Sequence, residues 1–168
     1  LLSEVQDVAG YVGNFRSRII DRSRSNGEVG AAEEIEIEHG VVVVATGARE
    51  FKPKGFLYGE HPEVLTQSEF EERLAGGALP RGKSTSTVMI QCVGSRDDER
   101  DYCSRVCCSE AIKNAIRLKE TDPEADVFIL YRDIRSYGTR EVHFEEARSR
   151  GVVFVRYPEG QMPIVSRF

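Results

Sequence analysis

Strand-like and helical patterns alternate along the second half of the chain, and this alternation limits the possible folds more than any other feature. Apolar runs typical of strands cover Thr87–Val93, Val127–Tyr131 and Val152–Val155. Apolar residues at helical spacing lie between these runs, over Ser109–Glu120 and Thr139–Arg150. The order strand, helix, strand, helix, strand predicts a parallel sheet with right-handed crossover connections.

The second of these helices carries three apolar residues that are candidates for its buried side. At helical spacing we expect Val142, Phe144 and Ala147 to face inward, and Gly151 closes the helix. The first helix should end at Asp122-Pro123, because proline cannot continue a helix.

Residues 1–50 carry strand signals of two kinds. Phe15–Ile20 alternates in part, and Glu34–Glu38 alternates strictly, which is typical of a half-exposed strand. A polar segment from Arg22 to Gly30 separates them. Val41–Ala45 is instead a continuous β-branched run, typical of a strand buried on both faces of a parallel sheet. Its end, at residues 46–48, contains a glycine that leaves room for a close backbone or ligand approach.

Residues 51–83 are predicted to connect these two regions through one short helix. Thr66 followed three residues later by Glu69 forms a capping box, and Leu65 and Phe70 are placed as a hydrophobic staple. The helix should end near Ala75, before two glycines. We therefore expect an α/β protein with segments 1–50, 51–83 and 84–168.

All four cysteines of the chain lie between the end of the first predicted strand of segment 84–168, which contains the first of them, and the start of its first helix. Their spacing is C-x10-C-x3-C-C, and they are Cys92, Cys103, Cys107 and Cys108. Because the cytosol keeps thiols reduced, such a cluster in a cytoplasmic protein points to metal or redox chemistry more than to disulfides. A dinucleotide-binding unit would carry G-x-G-x-x-G at this junction, where the chain has Gly94 alone. The N-terminus of a helix also favours thiolates.

The spacing by itself leaves three uses of the thiols open. An iron–sulfur cluster takes four thiolates, although this spacing matches neither the bacterial nor the plant ferredoxin pattern. A structural zinc site usually takes paired C-x2-4-C knuckles, which are absent. The third possibility is inert or redox-sensing thiols, with buried cysteines acting as small hydrophobes.

Charge and composition exclude some classes of protein. A net charge of −5 argues against a nucleic-acid binder, and no apolar stretch is long enough to span a membrane.

A local basic group after the second strand is predicted to be a solvated loop, and its members are Arg132, Arg135 and Arg140. Arg96 and Arg105 flank the cysteines, where they offset the charge of a reduced cluster or form salt links. No residue is assigned a catalytic role.

Several stretches resemble the heterodisulfide reductase A-subunit family and its relatives. The most specific is the cysteine motif, and the similarity extends over most of the chain. The matching stretches are Gln91–Arg96, Tyr102–Cys108, Leu2–Val5, Gly10–Phe15, Val44–Ala48 and Tyr131–Gly138.

The resemblance implies a flavoprotein of the thioredoxin-reductase-like class, with a Rossmann-like FAD/NAD(P)-binding type of fold and a small β-meander. Residues 1–50 would be the C-terminal side of the FAD-binding half, and residues 84–168 a second Rossmann-like half. The four cysteines would bind a [4Fe–4S] cluster. Thr46, Gly47 and Ala48 match the strand-end motif that approaches FAD in this class.

The same resemblance implies electron transfer between flavin and iron–sulfur centres, with other subunits of a reductase complex as partners. The FAD fingerprints of the family are absent from this sequence, so we expect an internal fragment that is inactive in isolation. Two alternatives stay open. One is a zinc-stapled or partner-docking domain without catalysis, and the other is the NAD(P)-binding half of a flavoprotein disulfide reductase.

Overall fold

The computed structural model of the chain describes residues 2–21, 33–79 and 86–167. The chain divides into two compact units, residues 1–48 and 49–168. The polar segment predicted from Arg22 to Gly30 lies outside the described residues, as do residues 80–83 of the predicted connector. The three-segment division at residues 50 and 83 stays a prediction.

The first unit contains an antiparallel three-stranded meander. Its strands are β1 (Ser3–Tyr11), β2 (Asn14–Asp21) and β3 (Glu33–His39), in the order β1-β2-β3. β1 and β2 are joined by a two-residue turn in which Gly13 has φ +90°, a value that favours glycine. The predicted small meander is therefore confirmed, and β1 extends it by a strand that the sequence patterns did not resolve.

Contacts between neighbouring strands keep the meander in register. Arg16 on β2 pairs with Glu36 at 3.0 Å and Glu38 at 2.8 Å on β3, but exposed pairs of this kind contribute little to stability. At the end of β3, His39 stacks on Phe15, and its Nε2 lies 2.8 Å from Ser17 Oγ. His39 therefore has a structural role at the sheet end.

The predicted buried strand over Val41–Ala45 is wrong. These residues lie outside any strand, and Val43 and Val44 are 81% and 82% exposed. A β-branched run becomes a strand only when neighbouring strands satisfy its backbone groups and cover its side chains. No described strand pairs with this run, so the strand preference of its residues is not sufficient to form a strand.

The second unit begins with the short helix α1 (Gln67–Ala75), and its predicted capping box is confirmed. The Glu69 N–H donates to Thr66 Oγ1 at 3.3 Å, and the Thr66 N–H donates to Glu69 Oε2 at 2.9 Å. Leu65 and Phe70 both pack into the hydrophobic core, as the staple predicted. Together these contacts fix where the helix starts and which side it buries.

A parallel three-stranded sheet forms the centre of the second unit. Its strands β4 (Ser86–Ile90), β5 (Asp126–Tyr131) and β6 (Val153–Arg156) are ordered β4-β5-β6. Helix α2 (Cys107–Thr121) joins the first pair, and α3 (Glu141–Ser149), preceded by a short 3-10 turn, joins the second. The predicted alternation is confirmed, and the parallel sheet and the meander together make a mixed α/β protein. Within the described residues, no helix has the length and apolar character needed to cross a bilayer.

The hydrophobic core lies on one face of the parallel sheet. Ile129 of β5 and Ile112 of α2 are almost completely buried, and each contributes about 1.5–3 kcal/mol. Ala147 is buried and Phe144 is partly buried, as predicted. Val142 is 57% exposed, so its inward orientation was wrong, because α3 turns only a narrow stripe toward the core.

The opposite face of the sheet is open among the described residues. Val88, Val153 and Val155 are 54%, 46% and 43% exposed, and the register places Val88 and Val153 on either side of Phe128. The prediction of helices flanking a buried sheet is therefore confirmed on one side only.

Candidate metal centre

The loop between β4 and α2 has an unusual backbone. Cys92, Arg96 and Arg105 have φ values of 64°, 58° and 60°, in the left-handed region that side chains other than glycine rarely adopt. Each such residue costs about 1–3 kcal/mol, so the surrounding contacts must hold it in place. Concentrated strain of this kind is typical of functional sites.

An aromatic contact holds the first part of the loop. Phe51 packs so closely on Gly94 that a Cβ atom at position 94 would overlap its ring. The guanidinium of Arg100 lies over the same ring, 4.3 Å from its centroid. Asp97 closes the loop tip by accepting the Arg100 N–H at 2.7 Å. The loop is therefore anchored to the segment that precedes α1.

Residues at the carboxyl ends of the neighbouring strands hold the rest of the loop. Arg132, directly after β5, donates to the Arg96 carbonyl at 2.6 Å, and the Arg96 side chain pairs with Asp133 at 2.9 Å. Tyr157, directly after β6, donates to the Gln91 carbonyl at 2.6 Å. In a parallel sheet these ends meet at one edge, so the loop is supported from two adjacent strands.

Three of these supports differ from the sequence-based interpretation. Arg132 was predicted to be part of a solvated loop, but it is 9% exposed. The reason is its place at the sheet edge, where it packs near the Tyr157 ring at 6.0 Å and reaches a backbone carbonyl. Sequence reasoning missed Tyr157 and Asp133 altogether. The only available signal was their position at the ends of predicted strands.

The structure brings three of the four predicted ligands together. Cys92 and Cys108 are buried and Cys107 is partly buried, and the three groups are close enough to influence each other's titration. Cys103 is partly buried, and its Sγ accepts the Arg105 N–H at 3.3 Å. Within the described residues, no three His, Cys, Asp or Glu side chains are arranged to hold a metal ion. The ligand role of the four cysteines therefore stays a prediction.

The thiols of Cys107 and Cys108 have opposite acidities. A hydrogen bond from Cys108, aided by one from Ser104, lowers the pKa of Cys107 from 9.0 to about 6, although burial opposes the shift. The same bond and burial raise the pKa of Cys108. The Asp133 carbonyl also lies within reach of the Cys108 thiol, at 3.8 Å. Because a thiol has one proton, we assign that proton to the charged acceptor, the Cys107 thiolate.

Cys92 differs from Cys107 because it lacks the hydrogen bond from Cys108 that lowers the pKa of Cys107. Burial raises the pKa of the Cys92 thiol, and the charges of Arg96 and Arg132 oppose the rise. In the metal-free chain the site therefore contains one thiolate and two neutral thiols near neutral pH.

Alkylation should reveal this difference directly. We expect the rate of Cys107 modification by iodoacetamide to be half-maximal near pH 6, because the reactive thiolate forms above that pH and is lost below it. Peptide mapping by mass spectrometry after timed reaction at pH 5–9 measures the rate at each cysteine. In Cys108→Ala the main hydrogen bond is absent, so the midpoint should move to higher pH. A midpoint near pH 9 in the unsubstituted protein would contradict the assignment.

The residues predicted to approach FAD are described in the first unit. Thr46, Gly47 and Ala48 are exposed and lie outside any helix or strand, and Gly47 has φ +70°. Their cofactor role stays a prediction.

Comparisons with known proteins locate the chain among its relatives. It is 41% identical over 140 residues to the A subunit of the ferredoxin/F420H2-dependent CoB-CoM heterodisulfide reductase of Methanosarcina acetivorans. It is 41% identical over 141 residues to the A subunit of the H2/formate:CoB-CoM heterodisulfide,ferredoxin reductase of Methanococcus maripaludis. It is also 38% identical over 141 residues to the iron-sulfur A subunit of the CoB--CoM heterodisulfide reductase of Methanocaldococcus jannaschii. No family model matches the chain.

The aligned region makes up most of this chain but only a small part of each relative. Each alignment covers 74% of the chain, but only 18% of the first relative and 21% of the other two. The chain thus spans about a fifth of the length of these curated relatives. Their names describe reductases, which are oxidoreductases, and one name specifies an iron–sulfur subunit. With this identity over three quarters of its length, the chain belongs to the heterodisulfide reductase A-subunit family.

Proposed function

We propose that the chain is an electron-transfer module of a heterodisulfide-reductase-A-like oxidoreductase and that its cysteine loop binds a [4Fe–4S] cluster. The observation that carries the proposal is the gathering of Cys92, Cys107 and Cys108 at the β4–α2 junction, where hydrogen bonds lower the pKa of Cys107 to about 6. Cys103 lies on the same loop and supplies the fourth sulfur ligand.

The sulfur ligands in the loop fit a [4Fe–4S] cluster. A cluster of this type is held by four cysteine thiolates, and the loop contains four free thiols. The lowered pKa of Cys107 reduces the cost of losing its proton, and ligand binding by sulfur requires that loss. Nearby Arg96 and Arg132 favour negative charge at Cys92.

Two buried nitrogen donors also fit an anionic group at this place. The Nε2 of Gln91, beside Cys92 in the chain, has no hydrogen-bond partner among the described residues, and neither has the Nε of Arg132. A buried donor without a partner costs about 1–3 kcal/mol, so a site that contains two of them favours an acceptor nearby. Cluster sulfur is an acceptor of this kind, and hydrogen bonds to it tune the potential.

The roles of the protein groups follow from these contacts. The cluster supplies one-electron transfer when bound. The cysteines hold it, Arg132 and Tyr157 position the loop by binding its backbone carbonyls, and Arg96 places a positive charge beside Cys92. Phe51 and Arg100 pack against one side of the loop.

The remaining parts of the proposal concern a flavin site and partner subunits. Thr46, Gly47 and Ala48 would contribute to a flavin site completed by other segments, and the module would exchange electrons with other subunits of a reductase complex. The names of the relatives, which describe subunits of CoB-CoM heterodisulfide reductases, support the part that concerns partner subunits.

Anaerobic reconstitution tests the cluster. With iron and sulfide in excess, we expect about four iron atoms and four acid-labile sulfides per chain, together with visible absorbance and an EPR signal on reduction. A folded sample that takes up no iron would refute the proposal. Stoichiometric zinc without sulfide would favour a zinc-stapled domain instead. Binding of NADH in place of a cluster would favour the NAD(P)-binding alternative.

A further inference from the structure

An open cleft lies beside the cysteine loop, at the carboxyl edge of the parallel sheet. Its volume is about 560 Å³, and three arginines line it: Arg105, Arg135 and Arg140. Arg105 comes just before α2, while the other two belong to the segment between β5 and α3. The volume lies within the range of roughly 300–1,000 Å³ that is usual for small-molecule sites.

The cleft is positively charged without internal compensation. Among the described residues, no acidic side chain lines it. Neither Arg105 nor Arg135 pairs with a carboxylate of the described residues, and Arg140 has only a 3.4 Å contact to Ser109 Oγ. Many arginines elsewhere in the described chain are paired, for example Arg150 with Glu146 at 2.8 Å. The chain as a whole has a net charge of −5, whereas this cleft is lined by three guanidinium groups and by no described carboxylate.

The geometry indicates which anion would bind. Guanidinium groups form paired hydrogen bonds to phosphate oxygens, and three of them around one cavity can hold more than one phosphate group. The N-terminus of α2 begins two residues after Arg105, and its dipole favours the same sign of charge. The cleft is also lined by Tyr137, whose ring is exposed and available to stack on a base.

We propose that this cleft binds a phosphate-bearing nucleotide, with its phosphate groups on Arg105, Arg135 and Arg140 and its base against Tyr137. The binding mode differs from a glycine-rich fingerprint, in which backbone N–H groups hold the pyrophosphate. Here arginine side chains replace the missing glycines, so the absence of that fingerprint does not exclude a nucleotide.

Calorimetric titration of the iron-free protein at low ionic strength tests the site. The probes are ADP, inorganic pyrophosphate and adenosine. We expect ADP and pyrophosphate to bind and adenosine not to bind. Arg135→Ala and Arg140→Ala should each weaken ADP binding by about tenfold, because each removes a charge-assisted hydrogen bond. Arg135→Lys keeps the charge but not the paired geometry, so it should recover only part of the affinity.

Arg117→Ala is the matched control. Its side chain is 72% exposed on α2, outside the cleft, and its loss changes the net charge by the same amount. The proposal is overturned if ADP fails to bind, if adenosine binds as well as ADP, or if Arg117→Ala weakens binding as much as Arg135→Ala.

A second measurement needs no variant. Phenylglyoxal should modify Arg135 and Arg140 in the unliganded protein, and saturating pyrophosphate should protect both while leaving Arg117 reactive. Equal protection of all three arginines, or of none, would overturn the proposal. Both measurements use iron-free protein, so a failure of cluster reconstitution leaves their outcome unaffected.

Discussion

Replacement of Cys107 by serine should abolish cluster formation, with iron after reconstitution falling from about four atoms per chain to less than about one. Cys107 is the thiol whose pKa is already lowered to about 6, and it is in contact with both other gathered cysteines. A serine hydroxyl keeps nearly the same size but does not ionise at neutral pH, so the site loses a thiolate ligand without a cavity. Iron and sulfide analysis with visible spectroscopy measures the effect.

Ser95→Ala is the control for this substitution, because it changes the same loop without removing a thiol. We expect it to keep the full iron content. Cys103→Ser extends the comparison to the cysteine whose Sγ accepts the Arg105 N–H. Because Cys103 is the proposed fourth ligand, its replacement should lower the iron content as Cys107→Ser does. Full iron content in Cys107→Ser would exclude the proposed ligand set.

Gly94→Ala should destabilise the second unit by about 2–4 kcal/mol. Gly94 has φ +69°, which an alanine adopts only with strain, and the added Cβ would overlap the Phe51 ring. Relief of the overlap requires movement of Phe51, and with it the Arg100 contact that covers the loop. Urea unfolding followed by circular dichroism measures the free energy of unfolding.

Gly138→Ala separates the cost of backbone strain from the cost of the overlap with the Phe51 ring. Gly138 has the same φ of +69°, but a Cβ there meets nothing within 4 Å. Its replacement should cost only the backbone strain, about 1–2 kcal/mol. The difference between the two variants then reports the Phe51 contact, and a double-mutant cycle with Phe51→Ala should show coupling. Equal losses in both glycine variants would show that Phe51 does not constrain position 94.

Local patterns predicted much of the second unit. The alternation from Thr87 to Val155 was sufficient for the parallel sheet, because strand and helix periods are set by neighbouring residues. The start of α1 at Gln67, with Thr66 as its N-cap, followed from a capping box that needs only four consecutive residues. Element ends were less accurate. Helix α2 starts at Cys107, two residues before its predicted start at Ser109, so Cys107 and Cys108 lie in its first turn.

The Val41–Ala45 run shows where local patterns fail. Its composition favours a strand strongly, yet a strand is a property of its neighbours as much as of its own residues. Burial of Arg132 was missed for the same reason, since arginine is seldom buried unless distant groups accept its hydrogen bonds. Here the acceptor is the carbonyl of Arg96, 36 positions earlier in the chain.

The sequence by itself determined the α/β alternation, the four-cysteine motif and the resemblance to the reductase family, because these depend on the types and spacing of nearby residues. The tertiary structure decided that Cys92, Cys107 and Cys108 gather. It also decided that Arg105 faces the same cleft as Arg135 and Arg140. The physical reason is the parallel pairing of β4 with β5, which brings the loops after both strands to one edge of the sheet.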